Sequence, residues 1–69
     1  MEETVSITLN GEPRSVPRGT TVAALLAQIP HPGVFAVEAD AAIIPAEKYS
    51  STVLHGGSVV EIVRFVGGG

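Results

Sequence analysis

The chain has 69 residues, none of them cysteine, and a formal net charge of −3. That length supports one small domain, and without cysteine neither a disulfide frame nor a thiolate zinc site can reinforce it. At 45% hydrophobic and 16% charged residues the composition excludes a disordered chain, and the basic residues Arg14, Arg18, Lys48 and Arg64 are too scattered to bind nucleic acid.

Val5, Ile7 and Leu9 alternate with Thr4, Ser6, Thr8 and Asn10, which predicts a strand over residues 4–9 with one face buried. Asn10-Gly11 tolerates the positive φ angles of a type I′ turn, so the chain reverses there into a hairpin. The return strand, about residues 12–16, contains Pro13, which cannot donate to a ladder and therefore belongs at an edge. Pro17-Arg18-Gly19 is turn chemistry, and Thr20 or Thr21 can cap a helix predicted over 21–28. Val22, Leu25, Leu26 and Ile29 fall at i, i+3, i+4 and i+7, an apolar stripe to be buried with Val5 or Ile7 and Ile62. Pro30, Pro32 and Gly33 stop the helix.

Residues 34–37 read as a short strand, with Glu38-Ala39-Asp40 as the turn or bulge after it. Ile43-Ile44 is closed by Pro45, which suits the first position of one helical turn reaching Tyr49. After Val53-Leu54, His55-Gly56-Gly57-Ser58 reverses the chain, and 59–66 is the longest strand candidate. It is apolar on both faces and is predicted to lie in the middle of its sheet. No apolar run approaches the roughly 20 residues of a membrane span, and Met1-Glu2-Glu3 is unlike the start of a signal peptide, so a cytoplasmic protein with no membrane partner is expected. One helix across a mixed sheet of four or five strands makes an α+β domain of the β-grasp type, formed by residues 1–66 and followed by a flexible glycine tail, 67–69.

The tail raises a chemical question, because Gly67, Gly68 and Gly69 are the residues least able to fold. Lacking Cβ, they can enter a slot too narrow for side chains, and three of them extend about 10 Å, enough to carry a carboxylate into a partner's active site. The runs "NGEPRSVPRGTTVAALLAQI" and "VFAVEADAAIIPAEKYSSTVLHGGSVVEIVRFVGGG" contain Asn10-Gly11, the GTTV helix start, IIP before EKY, the VVEIV strand and the final glycines. In that order and spacing they resemble the ThiS family, sulfur carriers of thiamine biosynthesis, over residues 7–69. The chain departs from the family pattern at 55–58, where Asp-Gly-Asp is usual, and at Asp40, where Asn is common.

The resemblance implies a ubiquitin-like β-grasp fold with the last strand beside the first. It implies that Gly69 is the modified residue, its carboxylate adenylated and then converted to a thiocarboxylate, with Gly67 and Gly68 threading the partner's channel. No cofactor is bound on this reading, since ATP is used by the activating partner. The implied partners are a ThiF-like adenylating enzyme, a ThiG-like thiazole synthase that receives the sulfur, and a persulfide-bearing sulfurtransferase. Such a chain is a carrier and not an enzyme, with no catalytic residue and no metal. The residues agree, for no nucleophile and base are paired by motif, and His31 and His55 are two turn histidines without a third ligand.

Val59, Val63 and Phe65 share one face of the last strand, opposite Val60, Ile62 and Arg64. The face turned away from the helix is a candidate docking patch, and Arg64 and Val66 beside the tail extend it. Two rival functions use the same tail. The small subunit of molybdopterin synthase commonly has proline before its final glycines, where this chain has Arg64-Phe65-Val66; a ubiquitin-like protein modifier would join Gly69 to a lysine as an isopeptide.

Overall fold

The computed structural model describes residues 3–31 and 33–64. Strands β1 (Thr4–Leu9) and β2 (Glu12–Pro17) form a hairpin, helix α1 (Val22–Gln28) follows, and β3 (Phe35–Ala39), β4 (Ala42–Ile44), a 3-10 turn (Ala46–Lys48) and β5 (Val59–Arg64) complete the chain. The five strands lie in the order β2-β1-β5-β3-β4, with β5 parallel to β1 and antiparallel to β3. The mixed sheet crossed by one helix is thus the α+β arrangement expected, with the last strand beside the first.

Local chemistry explains the elements. Asn10 and Gly11 have φ of 51° and 85°, the double left-handed conformation that a type I′ turn requires. β2 lies at the edge, where Pro13 and Pro17 leave no donor missing from an inner ladder. Thr21 caps α1 by accepting from the Ala24 amide at 3.1 Å. The amides of Val22 and Ala23, also orphaned at a helix start, donate to the carbonyls of Thr52 and Tyr49 at 2.9 and 3.0 Å. The helix has seven residues and is too short to persist by itself. It is held by packing: Val22, Leu25 and Leu26 are buried with Val5, Ile7, Val16, Val37, Leu54 and Val60, and each such side chain contributes about 1.5–3 kcal/mol on burial. No helix among the described residues is long and apolar enough to cross a membrane.

The structure corrects several boundaries. The third strand is Phe35–Ala39, not 34–37, and Val34 lies outside it, 67% exposed. Glu38 and Ala39 belong to the strand because Glu61 and Val60 of the central strand pair with them, so the reversal falls at Asp40-Ala41. Ile43-Ile44 joins Ala42 in the fourth strand, β4. The return strand runs one residue further than read, to Pro17 opposite Thr4. Ile29 is only partly buried, because it sits past the helix end in extended backbone. β5 is central as expected, yet only one of its faces is covered, since a single short helix shields one side of the sheet. The end of the strand read at 65–66, the boundary at residue 66 and the tail 67–69 lie outside the described residues.

Candidate functional site

The site is built around β5, which leads into the glycine run. Val60 and Ile62 point toward the helix side, Val60 fully buried and Ile62 partly so, while Val59, Glu61 and Val63 alternate onto the opposite face. Val59 is 44% and Val63 36% exposed. The register places Ala36 beside Val63 and Glu38 beside Glu61, with Ile43 next to Glu38 in β4. Ile43 is also exposed. The result is an uncovered sheet face of three aliphatic side chains around two carboxylates. No ion pair joins either glutamate to a cation among the described residues.

Two turn residues hold the flanks of β5 in the same way. Asn10 donates its amide to the Val60 carbonyl at 2.9 Å and accepts from the Ile62 amide with Oδ1 at 2.8 Å. Asp40, with φ of 53°, donates its amide to the Val59 carbonyl at 2.7 Å and accepts from the Val59 amide with Oδ1 at 2.9 Å. In each case a residue at a left-handed turn position supplies a side-chain oxygen as the acceptor for a β5 amide. Asp40 Oδ2 also lies 3.7 Å from His55 Nε2.

Of the residues proposed for docking, Val59 and Val63 share the uncovered face, as the alternation required. Arg64 is exposed and opposite Phe35 at the last ladder pair described, on the other side of the strand. Phe65, Val66, Gly67, Gly68 and Gly69 lie outside the described residues. The two histidines are separate: His31 packs its ring against Phe35 at 4.7 Å, and His55 faces Asp40. Sequence reasoning missed Glu38, Glu61 and Ile43 on the uncovered face, and the acceptor roles of Asn10 and Asp40. Period-two alternation across β3 assigns Glu38 to a face, but no local signal tells which strand stands opposite.

Comparison with known proteins agrees with this geometry. A family model described as the ThiS family matches residues 7–69. The chain is similar to a thiazole synthase of Magnetococcus marinus, 38% identical over 66 residues, and to one of Paramagnetospirillum magneticum, 36% identical over 69 residues. Each match covers 94% of this chain and 20% of the relative, so the chain spans about a fifth of the length of the curated relatives it matches. It also superposes on the crystal structure of the thiamine biosynthesis protein ThiS from Geobacter metallireducens with a TM-score of 0.81 and 28% identity, over 94% of this chain and 100% of that one.

Proposed function

Since the chain belongs to the ThiS family, we propose that it is a sulfur carrier of thiamine biosynthesis whose reactive group is the carboxylate of Gly69. The observation that carries this reading is that the family match runs through the glycines to Gly69, while the fold makes the strand leading into them the middle strand of the sheet. A reactive end rooted in the middle strand, paired on both flanks, is delivered by a rigid body and not by a frayed edge.

A carboxylate is a poor acyl donor. A ThiF-like enzyme joins it to ATP, releasing pyrophosphate and leaving an acyl-adenylate with AMP as the leaving group. The terminal sulfur of a persulfide donor attacks the acyl carbon and expels AMP. A thiol then cleaves the resulting acyl disulfide, which leaves the thiocarboxylate at Gly69. This carries sulfide in nucleophilic form to a ThiG-like thiazole synthase. The chain itself performs no catalysis on this reading; it presents Gly69, threads Gly67 and Gly68, and docks through the face of Val59 and Val63 with Arg64, Phe65 and Val66 beside it. The curated relatives bear the name thiazole synthase and are five times longer than the matched segment, which supports a thiazole synthase as the acceptor.

The test is intact mass. Protein incubated with ATP, the activating enzyme and the sulfur donor gains about 16 Da as sulfur replaces oxygen, and the gain maps to the peptide ending at Gly69. An unchanged mass, or a gain mapping elsewhere, overturns the reading.

A further inference from the structure

We propose that Asn10 is a positioning residue for the carrier reaction: its side-chain oxygen fixes the last stretch of β5 and so the direction in which the chain leaves the sheet toward Gly69. This rests on the carrier reading above.

The ladder explains why the side chain is needed. In a parallel pair each strand donates and accepts in steps of two. Thr8 donates to the Ser58 carbonyl and Asn10 to the Val60 carbonyl, both at 2.9 Å. The next bond in that alternation runs from the Ile62 amide to the main-chain carbonyl of Asn10. Asn10 is instead at φ 51° and starts the reversal into β2, and the Ile62 amide goes to its side chain. Oδ1 accepts from Ile62 at 2.8 Å, across 52 positions of sequence. β5 thereby gains one more bond on its β1 flank after β1 has ended. Beyond it the described ladder continues on the β3 flank alone, where Phe35 faces Arg64.

Asp40 supplies the internal control, because it makes the same kind of bond at the other end of β5, to Val59. A purely structural role assigns both residues the same consequence. A positioning role does not, since only the Asn10 bond lies at the end that leads to Gly69. Releasing Ile62 lets that end sample directions other than the one that aims the tail, and the rate of reaction after docking falls with the aligned fraction. Docking itself uses the uncovered face, which Asn10 does not form.

The experiment uses the chain with a ThiF-class activating enzyme and ATP, measuring pyrophosphate exchange at varied carrier concentration beside amide hydrogen exchange by NMR. Asn10→Gly keeps the positive φ and removes the acceptor; Asn10→Asp keeps both. With Asn10→Gly, the Ile62 amide exchanges at least about tenfold faster, kcat falls about tenfold, and half-saturation stays within about twofold. Asn10→Asp restores both, and Asp40→Gly speeds exchange at Val59 with kcat unchanged. Wild-type kcat in Asn10→Gly, an equal kcat loss in Asp40→Gly, or an Ile62 amide that stays protected overturns the proposal. Where the wild-type chain supports no exchange at all, the carrier reading fails and this inference fails with it; where the wild type is active and the Gly variant matches it, only this inference fails.

Discussion

Glu38 and Glu61 stand directly opposite each other across β3 and β5, a carboxylate pair on the uncovered face of the sheet. Like charges in such a cross-strand pair oppose folding, by an amount comparable to the roughly 0.2–1 kcal/mol that favourable pairs contribute. Glu61→Gln is therefore expected to stabilise the isolated chain by about 0.5 kcal/mol. Urea unfolding at low salt reads this as a higher midpoint, and the gain shrinks as salt screens the pair. A lower midpoint in the Gln variant would mean that the pair is not repulsive in the folded state.

The β3–β4 turn carries a second local cost. Ala41 has φ of 71°, a conformation that glycine adopts freely and alanine does not. Ala41→Gly relieves about 1–2 kcal/mol of backbone cost, offset by about 0.4–1 kcal/mol of extra freedom in the unfolded chain. The expected outcome is a net gain near 0.5–1 kcal/mol, seen as a rise in Tm. Ala41→Val, with a branched side chain at the same φ, is expected to lower it.

Val63 offers a test that separates the proposed docking from folding. It is on the face away from the helix and outside the buried cluster, so Val63→Asp is expected to change stability by less than about 1 kcal/mol. In adenylation assays the same variant raises the half-saturating carrier concentration by about tenfold, at little cost to kcat, because it weakens docking and leaves the reacting end intact. Loss of kcat at unchanged half-saturation would place the contact elsewhere.

Gly68→Ala makes the opposite separation. Among the described residues the buried cluster runs from Val5 to Val60, and one methyl group on a terminal glycine is expected to leave Tm unchanged. In a channel shaped for glycine it displaces the carboxylate, and a misplacement of about 1 Å at a reacting atom costs on the order of a hundredfold in rate. Adenylate formation at saturating carrier is the measurement. A wild-type rate would remove the narrow channel as the reason for the glycine run.

Much of the fold was legible because its causes are local. The alternation of Val5, Ile7 and Leu9, the Asn10-Gly11 reversal, a helix cap at Thr20 or Thr21 and the stripe of Val22, Leu25 and Leu26 each depend on residues within a turn or two of one another. So did the division of β5 into a face with Val59 and Val63 and a face with Val60 and Ile62. The Asp40-Ala41 reversal was not legible at its true place, because alanine gives no sign of a positive φ and only pairing with Val60 and Glu61 extended β3 to Ala39.

The sequence by itself determined the element order, the covered helix stripe and the glycine run with its resemblance to a carrier family. Tertiary structure alone decided which face of β5 stays open, since one seven-residue helix covers only one side of a five-stranded sheet. It also set Glu38 against Glu61 and brought the Asn10 oxygen to the Ile62 amide. Those contacts join residues far apart in the chain. Their partners are fixed by strand order and register, which arise when the separate apolar faces are buried together and which no short stretch of sequence encodes.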